Sequence, residues 1–287
     1  MKSSEWLSQA TLKLKQSGIG TARLDALVLL EEAASLDRAH LLAHPETTLQ
    51  GQTLQRLNGW VERRIGHEPL AYIRGKTEFY GRKFIINKDV LEPRPESETM
   101  IELLKSTYSK SQNYHLLEDG PLTDQQMVNL ILDVGTGSGA LAVTAKLEIP
   151  ELEVMATDID PQCLVVARQN AKKHKANIKF LQGNLLEKLT ADSLQLTAIL
   201  ANLPYVPDTY TINQAAAMEP RLAIYGGSDG LDLYRQLFNQ LNRGKHRVQY
   251  IFTESLPMQH KQLTNIANDA GYKVQETDDF IQLFKRV

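Results

Sequence analysis

The chain has 287 residues, 42% hydrophobic and 23% charged, the mix of a soluble globular protein with room for one large domain or two smaller ones. A net charge of −2 and a pI near 6.4 exclude a global basic field for holding a phosphate backbone, which disfavours a nucleic-acid partner. The lone Cys163 excludes an internal disulfide, no apolar run reaches membrane-spanning length, and the start MKSSEWLSQA lacks a signal-peptide core, so the expected location is cytoplasmic, with no membrane partner.

Residues 1–70 read as a small helical bundle. Leu7, Ala10 and Leu14 recur at helical spacing, as do Leu24, Leu27 and Val28, and then Leu54, Leu57, Val61 and Ile65. Gly18, Gly20 and Pro45 separate them. Residues 71–92 are richer in β-branched and aromatic side chains, with Gly81 at a turn, and predict a β-hairpin linker. Residues 93–287 form the third part. It opens on PRPESETMIELL, where Pro95 suits a first helical position and Glu96 and Glu98 suit the positive end of the helix dipole. Residues 108–127 read as a polar surface loop.

From Val128 onward strands and helices alternate. VNLILDV, EVMATDI, IKFLQ, LTAILAN and VQYIFTE read as strands, and YKVQET and FIQLFKRV could close the sheet. The helices between them are GALAVTAKL, PQCLVVARQNAKKHK and MQHKQLTNIANDAG. Such alternation implies an α/β fold with a mostly parallel sheet covered on both faces. Ligands of such sheets bind beyond the carboxyl ends of the strands. The first strand is followed by Asp133, Gly135, Thr136, Gly137, Ser138 and Gly139. The second ends in Asp158-Ile159-Asp160, the third in Gly183-Asn184-Leu185, and the fourth in Asn202-Leu203-Pro204-Tyr205.

The glycine loop alone does not decide the cofactor. Gly135, Gly137 and Ala140 satisfy a loose dinucleotide fingerprint, with Asp158 spaced to bind a ribose hydroxyl. The loop could also be a structural turn, and Asp158 could cap the next helix, since Asp-x-Asp-Pro is a helix-start signal. The fourth cluster favours a sulfonium cofactor. An amide or aromatic amine nitrogen has a delocalised lone pair and attacks a methyl group poorly. A site for it must accept both N–H bonds, aim the nitrogen, and stabilise positive charge as it develops. Asn202 and the Leu203 carbonyl supply acceptors without a titrating base, and the Tyr205 ring can pack on a planar substrate. Read without the upstream loop, the same four residues would be a turn with a buried tyrosine.

With these residues in place the chain resembles the glutamine N5-methyltransferases that modify peptide-chain release factors. The resemblance runs through ARLDALVLL, EPLAYIRGKTEFYG, LEPRPESE, LDVGTGSGALAV, EPRLAIYGGSDGLDLYRQL, and Glu254 with Gln259. It implies a five-helix-type substrate-recognition domain, a hairpin, and a Rossmann-like seven-stranded class I methyltransferase domain. The implied cofactor is S-adenosylmethionine, and the implied partner is a class 1 peptide-chain release factor, methylated on the glutamine of its Gly-Gly-Gln loop. Carried over by position, Gly135 to Gly139 would wrap the methionine part, with Asp133 at the strand end. Asp158 would bind the ribose, Asn184 and Leu185 would face the adenine, and Asn202 to Tyr205 would grip the glutamine amide. The family pattern has Asn-Pro-Pro-Tyr where this chain has Leu203 in second place. Asn184 stands where an acid is frequent, and the tail FIQLFKRV departs from the family.

Other readings are an adenine-N6 nucleic-acid methyltransferase, which shares the Asn-x-Pro-Tyr theme, a ribosomal-protein glutamine methyltransferase, and a cofactor-binding scaffold weakened by Leu203. His40 and His44 have a metal-pair spacing with no third ligand cluster, so a surface role is expected. Lys172, Lys173 and Lys175 suit a solvated helix end. Arg94 could touch substrate or anchor the linker.

Overall fold

The computed structural model describes residues 1–113, 129–189, 196–244 and 248–287. The chain forms two compact units. Met1–Lys76 and Ile212–Met218 make the first, and Thr77–Thr211 with Glu219–Val287 make the second.

The first unit holds five helices: α1 (Ser3–Gln16), α2 (Ala22–Ala34), α3 (Arg38–Ala43), α4 (Gly51–Ile65) and α5 (Leu70–Arg74). Their apolar faces meet in a core around Trp6, Leu14, Leu29, Leu30, Leu57 and Val61. The Trp6 indole N–H donates to Asn58 Oδ1 at 3.1 Å, and the buried Arg64 donates to Asp25 Oδ2 at 2.7 Å. On α2 the buried positions are Ala22, Asp25, Ala26, Leu27, Leu29, Leu30 and Ala33, so Leu27 is buried as expected, while Leu24 faces solvent, contrary to its expected place among the apolar positions. Residues 71–74, expected in the hairpin, are helical in α5. Pro69 fixes the helix start and Gly75, at φ +69°, terminates it, and these two outweigh the β-leaning Tyr72 and Ile73.

The hairpin is β1 (Lys76–Phe79) and β2 (Arg82–Ile85), turning through Tyr80 and Gly81, both at positive φ. Phe79 and Phe84 are buried in the core of the second unit, and the Asn170 side chain pairs with both the N–H and the carbonyl of Ile85. A 3₁₀ turn at Pro95–Ser97 leads into α6 (Glu98–Asn113). Residues 108–113 of the expected loop are therefore helical, and 114–127 lie outside the described residues, as does Val128.

The seven-stranded sheet comprises β3 (Leu130–Val134), β4 (Glu153–Asp158), β5 (Lys179–Gln182), β6 (Leu196–Ala201), β7 (Tyr250–Glu254), β8 (Tyr272–Asp278) and β9 (Ile281–Arg286). Its order is β5-β4-β3-β6-β7-β9-β8, with the first five strands parallel and β9 antiparallel to both neighbours. The remaining helices are α7 (Ala140–Glu148), α8 (Pro161–His174), α9 (Asp232–Arg243) and α10 (His260–Asp269). Alternate strand residues feed two cores. Ile131 packs with α6 and α7, while Leu130, Leu132 and Val134 pack with α9 and α10. Strand order reverses between β3 and β6, which opens a crevice at their carboxyl ends.

Candidate active site

One cleft of about 150 Å³ lies at that crevice. Gly135 and Gly137 line it from the first loop, Asp158 and Asp160 from the second, Gly183, Asn184 and Leu185 from the third, and Asn202, Leu203 and Pro204 from the fourth. The four strand-end clusters therefore converge, because parallel strands of one sheet direct their carboxyl ends to the same edge.

The loop after β3 wraps tightly because Gly135, Gly137 and Gly139 all adopt positive φ, at +70°, +53° and +79°. The N–H groups of Gly135 and Thr136 both donate to the Thr157 carbonyl at 2.9 Å, tying the loop to β4. A Cβ on Gly139 would lie 3.1 Å from Ala167 of α8, whereas a Cβ on Gly137 would meet nothing within 4 Å. Asp133, Thr136, Ser138 and Gly139 hold the loop and do not line the cleft. The Thr136 hydroxyl donates to Asp133 Oδ2 at 2.6 Å, and the Ala142 N–H reaches the same oxygen at 3.2 Å. Burial pushes the Asp133 carboxyl up to about 7, against the pull of those two donors.

Asp158, spaced in the sequence for a ribose, turns its carboxylate across the crevice. Oδ2 accepts from the Gly137 N–H and Oδ1 from the Asp160 N–H, each at 2.9 Å. The cap of α8 is Asp160, whose Oδ1 accepts from Gln162 N–H at 2.8 Å, so Asp158 is not the helix cap. Burial raises the Asp158 carboxyl above its ordinary value, and the two N–H donors oppose that rise. Asn184 donates to Glu187 Oε1 at 3.2 Å, which leaves its carbonyl oxygen for a ligand. Leu185 sits at φ +55°, a left-handed conformation costing roughly 1–2 kcal/mol in a leucine.

The fourth loop is held from behind. Tyr234 of α9 places its hydroxyl 3.0 Å from the Ala201 carbonyl and 2.5 Å from the Glu254 carbonyl, and it accepts from Leu203 N–H at 3.3 Å. Leu203 is buried, and its Cδ2 lies 3.1 Å from where a Cβ of Gly135 would stand. Gln259 donates to the Tyr205 carbonyl at 2.8 Å and to the Asp229 carbonyl at 2.7 Å. Tyr205 is half-buried and does not line the cleft; its hydroxyl donates to Glu254 Oε1 at 3.1 Å. Burial and the Glu254 charge push that phenol up. Asn202 lines the cleft and donates from Nδ2 to Ser97 Oγ at 2.9 Å.

Several residues of this edge were given no role by the sequence. Ser97 and Glu254 are 157 positions apart yet share a 2.6 Å hydrogen bond. Asp89, Leu91 and Leu222 also line the cleft. Cys163 also lines it, its thiol donating to the Asp89 carbonyl at 3.3 Å and pushed up by burial. Arg94 is paired with the buried carboxylate of Glu219, which favours an anchoring role. No group of metal-ligating side chains stands together among the described residues; His40 and His44 bring their rings to 4.6 Å on an exposed face. No helix among them is long and apolar enough to cross a membrane.

Comparison with known proteins places this geometry. A family model described as the PrmC N-terminal domain matches residues 5–75, and one described as the methyltransferase small domain matches residues 118–219. A release factor glutamine methyltransferase of Deinococcus radiodurans is 34% identical over 83% of this chain and 80% of its own length. That of Moorella thermoacetica is 37% identical over 80% of this chain and 77% of its own length. A bifunctional methyltransferase of Rickettsia bellii is 30% identical over 99% of this chain, which spans 53%, about half, of that relative. Among solved structures, the hMettl16 catalytic domain in complex with MAT2A 3′UTR hairpin 1 shares the fold, with a TM-score of 0.53, 12% identity, and 89% of each chain covered.

Proposed function

Because this chain belongs to the release factor glutamine methyltransferase family, we propose that it methylates the side-chain amide nitrogen of the glutamine in the Gly-Gly-Gln motif of a class 1 peptide-chain release factor. The donor is S-adenosylmethionine. The observation that carries the proposal is the single cleft shared by Gly137, Asp158, Asn184 and Asn202.

The residues present fit that donor. The space beyond Gly137 admits a ligand against bare backbone, and the Asp158 carboxylate keeps lone pairs for hydroxyl donors after its two backbone bonds. Asn184 offers an acceptor suited to an adenine amino group, and Ile159, Leu185 and Leu222 give apolar walls for a ring. When bound, the donor supplies a methyl group activated on sulfur. The chain's own task is to make a poor nucleophile react. The acceptors are Asn202 Oδ1 and the Leu203 carbonyl, each taking one N–H of the substrate amide. This would aim the nitrogen and favour the positive charge that builds on it as it takes up the methyl group, the surplus N–H proton passing to water. Desolvation in a narrow cleft strengthens both hydrogen bonds. The helical unit would present the surface that recognises the protein partner.

The test is incubation of the protein with S-adenosylmethionine and a class 1 release factor, followed by tandem mass spectrometry. One methyl on the glutamine of the Gly-Gly-Gln motif is the expected product. Methyl on adenine of added nucleic acid, with none on the factor, would sink the proposal in favour of a nucleic-acid methyltransferase. Methyl on a ribosomal protein alone would place the substrate elsewhere in translation.

A further inference from the structure

We infer that Glu254 and Ser97 are positioning residues that fix which end of the Asn202 amide faces the cleft, and so make the site select a nitrogen bearing two hydrogens over a carbonyl oxygen. The inference rests on the proposed methyl transfer to an amide.

Glu254 ends β7 and is 0% exposed. Its two oxygens face hydroxyl groups, Oε2 taking the Ser97 hydroxyl at 2.6 Å and Oε1 the Tyr205 hydroxyl at 3.1 Å. A serine hydroxyl has one proton. Since Ser97 spends it on a carboxylate, its oxygen can only accept from Asn202, which lies 2.9 Å away. The Asn202 amide also draws the Glu254 carboxyl down from where burial would put it. The inward partner of Asn202 is therefore an acceptor with a carboxylate behind it, and only its NH₂ group satisfies it. Rotating the amide by half a turn would set Oδ1 against the serine oxygen and a carboxylate, which is repulsive. The proton order runs one way, from Asn202 to Ser97 to Glu254, and Tyr205 joins from the other side. Asn202 Oδ1 is left toward the cleft that Asn202 lines.

Glu254 is costly to keep. It has no ion-pair partner among the described residues: Arg94, the cation of this edge, is paired with Glu219 instead. Glu96 adds a like charge. Burial pushes its carboxyl up, and the hydrogen bonds from Ser97 and Tyr205 pull it back. A buried, unpaired acid held only by hydroxyl and amide donors is a poor choice for stability, and a neutral core would serve the fold better. It is a good choice for imposing direction on a chain of hydrogen bonds.

The test uses the full chain, S-adenosylmethionine and the release factor, with single-turnover rates, donor affinity by calorimetry, and thermal midpoint for each variant. Glu254→Gln keeps the shape but brings an NH₂ group that must face one of the two hydroxyls, so the order is no longer imposed from both sides and can reverse at Ser97. The expected loss is roughly 100-fold in rate, on the scale of removing one preorganised partner. Donor affinity should stay within about twofold of wild type, since Glu254 lies behind the reacting loop. Ser97→Ala should lose rate likewise, and Ser97→Thr, which restores the hydroxyl, should recover most of it. Should Glu254→Gln fail to fold, the Ser97 pair still decides. An active wild type with Glu254→Gln or Ser97→Ala within threefold of its rate overturns the inference, as does a Ser97→Thr no better than Ser97→Ala. A wild type that methylates no release factor overturns the proposed function instead.

Discussion

The three glycines of the loop after β3 separate three physical roles, and alanine at each should give a different signature. All three sit at positive φ, so each alanine pays roughly 1–2 kcal/mol for a left-handed conformation. At Gly139 the new methyl would stand 3.1 Å from both Cα and Cβ of Ala167, and backbone of a packed helix cannot yield cheaply. Overpacking there adds about 1–3 kcal/mol, for a total of roughly 2–5 kcal/mol. In a unit of this size each kcal/mol lowers Tm by about 2–4 °C. At Gly137 no protein atom lies within 4 Å of the methyl, so stability should fall only by the backbone cost. That methyl would instead occupy ligand space, and S-adenosylhomocysteine should bind at least about tenfold more weakly, a loss of 1.4 kcal/mol or more. At Gly135 the neighbour is the flexible end of Leu203, so Leu203→Ala should relieve part of the Gly135→Ala penalty in a double-mutant cycle. Denaturation and calorimetry on the three variants decide the matter. A Gly137→Ala protein that binds like wild type and is as unstable as Gly139→Ala would falsify this division of roles.

Asp158→Ala should weaken S-adenosylhomocysteine by about 1–3 kcal/mol, because ligand hydroxyls would lose their acceptor, and an unchanged affinity would remove Asp158 from the proposed ribose role. Asp133 has a folded-state pKa of about 7, above the unfolded value near 3.9, so it favours folding below pH 4 and that contribution is lost as pH rises through 7. Asp133→Asn keeps an acceptor for Thr136 and Ala142, and the gap between its stability and wild type should shift in its favour from pH 5 to pH 8, by roughly 2–3 kcal/mol; no shift in that gap would contradict a buried, titrating acid. Leu203→Pro, which restores the family residue, removes the N–H that reaches Tyr234 and shrinks a buried side chain, so it should cost about 1–3 kcal/mol in stability without raising the methylation rate more than about threefold. A large gain in rate would mean that Leu203 cripples the site.

The strand ends were legible because their signals are local. Each cluster lies directly after an apolar strand, and sheet topology alone gathers them. Which members face the ligand was less legible. Asp133 and Asp158 both end strands, yet Asp133 folds inward onto Thr136 three residues on, while Asp158 spans to the facing loop. The three-residue spacing to a hydroxyl was the available hint for Asp133. Helix α5 was misassigned from the composition of Tyr72 and Ile73, although Pro69 and Gly75 bracket it with start and stop signals. Leu24 was misplaced because the buried face of α2 takes in Ala22, Ala26 and Ala33, which carry little hydrophobic signal and left the face's centre hard to fix. Ser97 and Glu254 could not be paired from sequence, since the contact spans most of the second unit.

The short segment after the hairpin illustrates how a motif can be structural and functional together. Arg94 reaches Glu219, whose carboxyl is pushed up by burial and drawn back first by the Arg94 charge. Glu219 directly precedes Pro220, Leu222 and Ala223, which line the cleft. Three residues beyond Arg94, Ser97 meets Asn202 and Glu254. One turn of chain thus ties the cleft wall to the loop of Asn202. Removing Arg94 would leave a buried acid unpaired, although partial exposure of the arginine side chain, at 35%, limits the effect to less than a fully buried pair would show. The proline at position 95 suits this double duty, because its fixed φ sets the direction of the turn before either side-chain contact forms.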